Sequence, residues 1–572
     1  MYAPGEGGPL LRPAPPPPSP PPPRARTGNN EVGPPDVLET YAGEGVLLLR
    51  EGGRRAAPPA ERGGSEGELA PISTARLDLN ALRSLDESGL LRGVLDVIVD
   101  LAAFEAAMLP EASAELVLPG ASRGTSRHMA RHLGAMLEWG VVERSLGRTR
   151  VVLPAFTVPK KSGGLRLVCD GRKLNRLMRP PPPMLLPSIH AVIARFLSSR
   201  AVVAADARSW FYQFPLAEGV RDFFGLHLAG ARRPFVRARL RVLCMGWSWA
   251  PCIAHRAAMV LMPEQDGVSW VDNFFAVGQD EEDAARSFGR FMRRAETVGA
   301  ELNVDESYGI PRQQFTALGL EFDLSATPQR YRSSPRWVED FLASEGVHQV
   351  RSGDDSTARS FFRLFGGLVW FLHTTGRRLC FLPATLAFVR RAASRLATTS
   401  DEWDTVLKVP LAVRRELAGV LECVLANDWV EAPPQLPEVV GWSDASDEEW
   451  AAVLEVVPEA VVQGSFPSGG HLHIFLKEVF AALQAVRLAA RLSPEHELHL
   501  RVDNTAAVAA IQKGHSSCFH ANRMLCSLYD EADRARLAVR CSWVPTGNQR
   551  ADEFTRGRRA SPCGVSLPPF MW

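Results

Sequence analysis

Two aspartates end or interrupt apolar segments in the first half of the chain. Asp206 ends the run AVVAAD, and Asp272 lies in the middle of the run SWVDNFF. A carboxylate beside an apolar strand is costly unless it is paired or coordinated. If the two strands are neighbours, their carboxylates meet in a site that suits Mg²⁺. Two such ions can activate a 3′-hydroxyl and stabilise a leaving pyrophosphate. The alternative is that each aspartate only caps a turn.

Four acids near the C-terminus form a second set, each beside a different predicted element. Asp444 follows the strand VVGWS, and Asp503 ends the strand ELHLRV. Glu478 starts the amphipathic helix KEVFAALQAVRLAARL, and Asp552 lies at a predicted helix start in NQRADEFTRG. Acids from two strands and two helices that converge at one end of a sheet would hold two Mg²⁺ ions about 3.5–4 Å apart, an arrangement that serves phosphodiester hydrolysis.

The segment VPKKSGGLRLVCDGRKLNR predicts a basic β-hairpin with a Ser-Gly-Gly turn. Residues 151–180 carry seven bases and one acid, Asp170, for a net charge of +6. The bases are Lys160, Lys161, Arg166, Arg172, Lys173, Arg176 and Arg179. Such a hairpin suits a triphosphate or a nucleic-acid backbone, and a solvated, charged hairpin is the alternative.

Composition bounds the class of protein. At 572 residues the chain is too long for one domain. Hydrophobic residues make up 46% and charged residues 23%, which excludes collagen-like, fully disordered and disulfide-stapled classes. The net charge of +1 does not by itself mark a nucleic-acid binder. The nine cysteines form no CxxC pair and indicate buried or incidental thiols in a reducing compartment.

The N-terminal segment predicts neither a membrane anchor nor a folded domain. No charge-free stretch of about 18 residues is found, so no membrane span is expected. The start MYAPGEGG lacks the features of a secretory signal, which leaves cytoplasm and nucleus both open. Residues 1–70 are rich in Pro and Gly and favour a disordered leader. Their PxxP content also fits an SH3-like partner.

Helical and strand patterns alternate from about residue 74 onward. Helices are predicted in ALRSLDESGLLRGVLDVIVDLAAF and HMARHLGAMLEWGVV, and strands in TRVVLPAFTVP, LRLVCD and RAVVAAD. Residues 330–430 lose the strands and become helical, and EAPPQLPE indicates a linker. A second α/β module follows. This order predicts a mixed α/β and α+β, multidomain protein.

The order of these segments resembles that of the reverse transcriptases of retroelements. VPKKSGGLRLVCDGRKLN resembles their fingers motif, VVAADARSWFYQFPL palm motif A, LCMGWSWAPCIAHRAA motif B and SWVDNFFAVG motif C. ELNVDESYG and FTALGLEFD resemble motifs D and E, so the resemblance covers about 135–325. It implies Asp206 and Asp272 as catalytic metal ligands, with Asn273 beside them in the metal site.

The same resemblance implies a nucleotide pocket around this pair. Its residues would be Lys160, Lys161, Arg166, Phe211, Met245 and Gly246, with Trp247 next to them. A lysine and Arg166 would hold the incoming triphosphate, and Phe211 would exclude a ribose 2′-hydroxyl. Gly246 would let the backbone approach the nucleotide closely. Core packing is the alternative for Trp247 and is favoured for Trp249.

The C-terminal module resembles the ribonuclease H of retroelements over about 438–557. WSDAS, the KE helix, RVDNTAAVAAI and TGNQRADEFTRG match its four acidic motifs in order. The resemblance implies that the catalytic residues and ligands of two Mg²⁺ ions, or Mn²⁺ ions, are Asp444, Glu478, Asp503 and Asp552. Asn504 and Asn548 would orient substrate or ligands, and a turn cap is the alternative for Asn548. The histidine that many members carry before GN is missing.

Together the resemblances imply a right-hand polymerase followed by a ribonuclease H-like domain. The expected parts are a leader (1–70), fingers and palm (71–325), helical thumb and connection (326–430), a linker (431–437), the ribonuclease H-like domain (438–557) and a tail (558–572). A phosphate-facing surface, or else a solvated helix face, is expected from Arg377, Arg378, Arg390, Arg391 and Arg395. The implied partners are RNA template, DNA primer, RNA–DNA hybrid and dNTPs, with duplexes bound mainly through the backbone.

Two departures keep a second interpretation open. Motif C normally ends in two adjacent aspartates, and Asn273 takes the second place. Asp305 and Glu306 lie where motif D carries a lysine. The chain is therefore either an enzyme that copies RNA into DNA and cleaves the hybrid, or a degenerate or repurposed element protein that keeps only ribonuclease H activity or nucleic-acid binding.

Two further interpretations concern the Pro-rich leader and the type of retroelement. A Pro-rich scaffold that acts through residues 1–70 would leave both sets of acids unexplained. The WSWAP and WSDAS segments resemble retroelements that use a tyrosine recombinase (DIRS type). Template, primer and oligomeric state do not follow from the residues.

Overall fold

The computed structural model describes most of the chain from residue 68 onward. The described ranges are 68–110, 129, 131–145, 149–160, 163–228, 236–303, 308–398, 402–467, 472–561 and 563–568. Nearly all of the expected leader, and with it the SH3-like partner site, lies outside the described residues. Leu69 already pairs with Leu165, so residues 68–70 belong to the folded part. Over the described ranges, no helix combines the length and apolar character needed to cross a membrane.

Strands and helices alternate along the described residues, which confirms the mixed α/β, multidomain prediction. The strands are β1 (Val142–Arg144), β2 (Ala155–Pro159), β3 (Leu165–Cys169), β4 (Ala201–Asp206), β5 (Gly225–Leu228), β6 (Val236–Leu240), β7 (Gly267–Trp270), β8 (Asn273–Gly278), β9 (Gln314–Ala317), β10 (Leu320–Asp323), β11 (Arg330–Ser333), β12 (Ser356–Thr357), β13 (Val406–Leu407), β14 (Val430–Glu431), β15 (Glu438–Ala445), β16 (Glu449–Leu454), β17 (Ala460–Ser465), β18 (Glu497–Val502) and β19 (Ala538–Trp543).

The helices are α1 (Leu79–Ser84), α2 (Asp96–Val99), α3 (Leu101–Ala106), α4 (Leu133–Glu138), α5 (Arg172–Arg176), α6 (Ile189–Leu197), α7 (Glu218–Arg221), α8 (Trp249–Leu261), α9 (Glu281–Thr297), α10 (Pro335–Leu342), α11 (Glu345–Ser352), α12 (Ala358–Thr374), α13 (Pro383–Thr398), α14 (Leu411–Ala426), α15 (Ile474–Leu492), α16 (Thr505–Lys513), α17 (Phe519–Arg534) and α18 (Asp552–Thr555). Short 3₁₀ turns lie at Trp210–Gln213, Leu379–Phe381, Glu402–Asp404 and Thr546–Asn548.

The sheet that carries Asp206 is antiparallel, with the order β4-β8-β7, and it is buried on both faces. Val203 and Phe274 point into the large core of the N-terminal half. Val202 and Phe275 belong to a second core beside α6 and the β9–β11 strands. Burial on both faces explains why β4 is an almost continuous apolar run rather than an alternating one.

The N-terminal part surrounds this sheet with short elements. β2 and β3 form the predicted hairpin, in which Ala155 pairs with Cys169. The helical segment after residue 74 is divided into α1, α2 and α3. Gly89 and Gly93 adopt φ angles of +72° and +70°, which a continuous right-handed helix does not allow. Asp100 then caps α3 by accepting from the backbone N–H of Ala103 at 2.7 Å.

Residues 326–430 contain strands that the sequence did not predict. β11 joins a sheet of order β14-β11-β10-β9, and Tyr331 pairs with Val430. The polar positions of β11 are covered by Trp429, whose ring lies 4.6 Å from the guanidinium of Arg330 and 4.3 Å from that of Arg332. These stacking contacts favour an extended backbone in a segment whose composition alone indicates helix. The helices α10–α14 share their own apolar core.

The C-terminal module is a five-stranded sheet of order β17-β16-β15-β18-β19. β15 runs antiparallel to β16 and parallel to β18, which in turn runs parallel to β19. α15 covers one face, and its side chains Val479, Leu483 and Val486 are buried there. The expected tail is not free of this module, since Gln484 Nε2 donates to the carbonyl oxygen of Pro568 at 3.0 Å.

The helical segment contacts the C-terminal module through residues around Cys380. The Cys380 side chain is fully buried in the core of that module, and its N–H donates to the Gly514 carbonyl at 3.0 Å. Arg378 stacks over the ring of Tyr529 at 4.9 Å. Arg390 Nη1 donates to the Ser517 carbonyl at 2.5 Å. Arg378 and Arg390 thus contact protein, while a phosphate-facing surface that includes Arg377, Arg391 and Arg395, or else a solvated helix face, stays a prediction.

Candidate active sites

The first acidic site consists of Asp206 and Asp272, which the β4–β8 pairing brings to one sheet end. Asp206 ends β4 and faces Asn273, the first residue of β8. Asp272 is not in the middle of a strand, as expected, but in the two-residue turn between β7 and β8. The preceding Val271 has a φ of +57°, which is unfavourable for a β-branched residue. The N–H of Ala207 donates to the carbonyl of Asp272 at 2.8 Å and ties the turn to the end of β4.

The electrostatics of this site link the carboxylates to the basic hairpin. Burial raises the pKa of Asp272, and its own backbone N–H, the charge of Arg166 and the Asn273 side chain oppose that rise. Burial lowers the pKa of Lys160, as do the charges of Arg166 and Arg208, while the Asp206 carboxylate opposes that shift. Lys160 and Arg166 therefore lie close enough to the acidic pair to act with it. Lys161 lies outside the described residues.

Two asparagine amides donate to the acidic pair. Asn273 Nδ2 donates to Oδ1 of Asp272 at 3.1 Å. Asn303 Nδ2 donates to Oδ2 of Asp206 at 2.5 Å, and the Asn303 backbone N–H donates to the Asp206 carbonyl at 2.8 Å. The sequence interpretation did not single out Asn303, although it belongs to the segment that resembles motif D. Asp305 and Glu306, which stand where motif D carries a lysine, lie outside the described residues.

The predicted pocket residues occupy different environments. Phe211 lies in the 3₁₀ turn after Asp206, is half-buried and packs against the large core. Met245 is half-buried, and Gly246 is exposed with a φ of +107°. A Cβ on Gly246 would overlap the carbonyl oxygen of Cys169, so the close approach that requires glycine is to β3. Glycine was expected at position 246 because of a close approach to the nucleotide, but the structure requires it for the approach to β3. The contact of Gly246 with a nucleotide stays a prediction.

Trp247 is a core residue and not part of a pocket lining. Only 1% of it is exposed, and its ring lies 5.2 Å from that of Phe224 and 5.9 Å from that of Phe104. Trp249 is also buried, as favoured, and its Nε1 donates to the Arg179 carbonyl at 3.0 Å. The sequence around Gly246 does not show whether the neighbouring tryptophans Trp247 and Trp249 line a pocket or belong to the core.

The second acidic site lies where the parallel strands β15 and β18 end. Asp444 is the second-last residue of β15, and Asp503 follows β18 directly. Glu478 reaches the same place from the second turn of α15. One carboxylate oxygen from each of these three residues lies within 4.8 Å of the others. Asp444, Glu478 and Asp503 thus lie together at one end of the sheet, as the sequence predicted for these three acids.

The carboxylates of Asp444 and Glu478 are buried, and that of Asp503 is half-buried. Burial raises the pKa of Glu478 to about 9, with the charges of Asp444 and Asp503 adding to the rise. Burial also raises the pKa of Asp444 to about 6, although a hydrogen bond from Thr555 opposes that rise. Glu478 Oε2 is buried and has no hydrogen-bond partner among the residues that the structure describes. An orphaned carboxylate oxygen facing two other acids fits a hard divalent cation, which prefers oxygen ligands.

Asp552 approaches the same site from α18. Its charge is one of the causes that raise the pKa of Asp444. Its Oδ1 accepts from Arg556 Nε at 2.8 Å. Thr555, on the same short helix, donates its hydroxyl to Oδ2 of Asp444. Asp552 therefore lies near Asp444, but it is not one of the three acids whose oxygens lie within 4.8 Å of one another. Thr555 is a site residue that sequence reasoning missed.

Two polar residues after β19, Thr546 and Gln549, donate hydrogen bonds to Asp503 and to the strand that carries Asp444. Thr546 Oγ1 donates to Oδ2 of Asp503 at 2.8 Å. Gln549 Nε2 donates to the carbonyl of Ser443, next to Asp444, at 2.9 Å. Asn504 accepts from the backbone N–H of Ala507 and caps α16. Asn548 is exposed and ends a 3₁₀ turn, and both its substrate-orienting role and the helix-cap or turn-cap alternative stay predictions.

Comparisons with known proteins found similarity among solved structures. No protein-family model matches the chain, and no curated protein sequence matches it. The foamy viral protease-reverse transcriptase dRH in complex with double-stranded DNA is 12% identical, with 82% of each chain covered and a TM-score of 0.45.

Two other structures of the foamy viral protease-reverse transcriptase are also similar. The complex with RNA/DNA hybrid is 13% identical, with 78% of this chain and 56% of that chain covered and a TM-score of 0.45. The complex with double-stranded DNA is 13% identical, with 75% and 86% covered and a TM-score of 0.43.

Proposed function

We propose that the C-terminal module is a ribonuclease H that cleaves the RNA strand of RNA–DNA hybrids. The observation that carries this proposal is the cluster of Asp444, Glu478 and Asp503, with ligand oxygens within 4.8 Å of one another and a buried, orphaned oxygen on Glu478. Two divalent ions bound there would activate a water molecule and stabilise the departing 3′-oxygen. The carboxylates hold the ions, and Thr555 and Thr546 orient Asp444 and Asp503 by hydrogen bonds.

The second half of the proposal is that the N-terminal module is an RNA-directed DNA polymerase. Asp206 and Asp272 would hold Mg²⁺ or Mn²⁺, and Asn273 would add a neutral ligand or orient Asp272. Lys160 and Arg166 would bind the triphosphate of the incoming dNTP, since both interact electrostatically with the acidic pair. Phe211 would close the ribose side of the pocket, and the proposed substrates are an RNA template and a DNA primer. The chain would come from a retroelement, of the DIRS type.

A second candidate function is a repurposed element protein with no polymerase activity. The observation that favours it is the Asn273 amide, which donates to Asp272 where a second carboxylate would attract metal. One negative charge fewer weakens divalent-cation binding at the first site. In this case the second acidic site would still cleave hybrids, because all four of its acids are present.

The nuclease proposal is tested with an RNA–DNA hybrid labelled on the RNA strand. The full chain should cleave this RNA with Mg²⁺ and should leave single-stranded RNA and duplex DNA intact. Asp444→Asn should slow cleavage by about 100-fold or more, because a metal ligand is lost. Glu553→Gln changes a neighbouring exposed acid that pairs with Arg558 and should keep the wild-type rate. A wild-type chain that does not cleave the hybrid would refute the proposal.

The polymerase proposal is tested by primer extension on an RNA template. Extension should require Mg²⁺ or Mn²⁺ and should be lost in Asp206→Asn, while Glu282→Gln, at an exposed position of α9, should extend normally. Hybrid cleavage without any extension, in both the wild type and Asn273→Asp, would establish the second candidate instead.

A further inference from the structure

Lys477 is a buried lysine for which the proposed chemistry has no use. Its side chain is 5% exposed, although it is next to Glu478 in α15. Lysine is almost never buried unless its ammonium has partners. The charge of Lys477 is not among the causes that shift the pKa of Asp444 or Glu478.

The ammonium of Lys477 is bound to the turn that joins β15 to β16. Its Nζ donates to the backbone carbonyl of Asp447 at 2.7 Å and to Oδ1 of Asp447 at 3.1 Å. The ring centre of Phe466 lies 5.5 Å from Nζ. The Asp447 side chain is 96% exposed, so its ion pair contributes little. The bond to the carbonyl, made by a desolvated ammonium, is the stronger one.

The position of this turn matters to the acidic site. Asp444 and Ala445 are the last residues of β15 before the turn, and the backbone N–H of Ala445 opposes the burial that raises the pKa of both Asp444 and Glu478. The turn is closed by the N–H of Ser446, which donates to the carbonyl of Glu449 at 2.8 Å. A shift of the turn would thus move Asp444 relative to Glu478.

We propose that Lys477 is a positioning residue that sets the divalent-cation affinity of the second acidic site by tying α15 to the β15–β16 turn. Lys477 touches neither the cation nor the substrate. It acts through Ala445 and Asp444, and so keeps the strand carboxylate at a constant distance from Glu478 on the helix. The inference rests on the proposed metal-dependent nuclease, and it adds a residue outside the four acids.

The test measures metal binding in a chain whose first site is disabled. In the full chain with Asp206→Asn and Asp272→Asn, Mn²⁺ binding is titrated by electron paramagnetic resonance. Adding Lys477→Met, which keeps the apolar stem and removes the donor, should weaken Mn²⁺ binding by about 10-fold, the effect typical of residues that orient metal ligands. Asp447→Ala keeps the carbonyl acceptor and should stay within about two-fold of the parent.

A kinetic readout separates positioning from a merely structural role. If the loss lies in metal affinity, hybrid cleavage by Lys477→Met should recover to within about two-fold of wild type at saturating Mg²⁺. A cleavage defect that excess Mg²⁺ does not reduce would overturn the proposal.

Other outcomes are equally decisive. Mn²⁺ affinity of Lys477→Met within about two-fold of the parent, or an equal loss in Asp447→Ala, would overturn the positioning role. Should Lys477→Met fail to fold, Lys477→Arg replaces it. Its planar guanidinium cannot reproduce the compact contact to the carbonyl, so affinity should fall by more than about two-fold, and parent-like affinity would reject the proposal. A wild-type chain that binds Mn²⁺ but does not cleave hybrids would refute the nuclease function and leave the affinity test of Lys477 valid.

Discussion

The side-chain amide of Asn273 donates to Oδ1 of Asp272 at 3.1 Å, and Asn273 is also the residue that faces Asp206 across the β4–β8 pair. The amide therefore occupies the position from which a second carboxylate would repel Asp272. Repulsion between carboxylates is what makes such a site attract divalent cations. In the first acidic site, Asp272 is thus held by a hydrogen bond from Asn273. The site carries one negative charge fewer than a site with a carboxylate at position 273.

Asn273→Asp should strengthen the first acidic site. The new carboxylate removes a donor to Asp272 and adds a negative charge, so metal-free Asp272 should become harder to ionise and Mg²⁺ should bind more tightly. At limiting Mg²⁺ we expect primer extension to rise by about 10-fold. Steady-state extension over a Mg²⁺ titration measures this, and Asn273→Ala is the control that removes the donor without adding charge. Equal rates in Asn273→Asp and Asn273→Ala would contradict the charge argument.

Thr555→Val should shift the pH dependence of hybrid cleavage. The Thr555 hydroxyl donates to Oδ2 of Asp444 and opposes the burial that raises the pKa of Asp444 to about 6. Without this donor the pKa of Asp444 should rise further, because valine keeps the volume but offers no hydrogen bond. The acidic limb of the kcat/KM profile should then move to higher pH. Thr505→Val, on the exposed start of α16, should leave the profile unchanged, and identical shifts in both variants would argue against the assignment.

Glu478→Gln should remove a pH-dependent loss of stability in the metal-free protein. The pKa of Glu478 is raised from 4.5 to about 9 in the folded chain. Between these values the unfolded chain is ionised while the folded chain retains the proton, so stability falls as pH rises through that window. Chemical unfolding in the presence of a chelator should show this slope in the wild type and a smaller slope in Glu478→Gln. Added Mg²⁺ should stabilise the wild type more at high pH, since binding requires the ionised carboxylate.

Gly246→Ala should destabilise the N-terminal half. Gly246 has a φ of +107°, and an added Cβ would overlap the carbonyl oxygen of Cys169 on β3. Strain of this kind costs about 3 kcal/mol or more, because the β3 backbone would have to move. Thermal unfolding should show a lower midpoint. The matched control is Gly419→Ala in α14, where no described atom apart from the two chain neighbours and the backbone of α14 lies within 4 Å of the added Cβ, and stability should rise by about 1 kcal/mol.

The second acidic site could be predicted from the sequence because each acid is next to a strong periodic element. Asp444 lies near the end of one apolar strand and Asp503 follows another, so the parallel pairing of β15 and β18 brings these two together. Glu478 joins them because its long amphipathic helix packs on the same sheet. The supporting residues could not be predicted in this way. The hydrogen bonds of Thr555 and Lys477 depend on the tertiary packing of α18 and of the β15–β16 turn.

The first half of the chain was predicted less accurately where short elements depend on their neighbours. Asp272 was expected within a strand, and a left-handed Val271 makes it a turn residue instead. β11 was missed because its RYRS sequence has no apolar run, and its extended form depends on Trp429 nearly a hundred residues later. The charge pattern around Arg378 and Arg390 gave no indication of their contacts with Tyr529 and Ser517, because such a pattern does not reveal protein contacts across modules.

The two-residue turn that carries Asp272 also restricts how this segment can change during evolution. Inserting or deleting a single residue there would reverse the inward and outward alternation of β8 relative to β4. Phe274 and Phe275 would exchange their cores, and the carboxylate would leave the sheet end. Length variation at this hairpin is therefore incompatible with the site, whereas substitution at position 273 preserves its geometry.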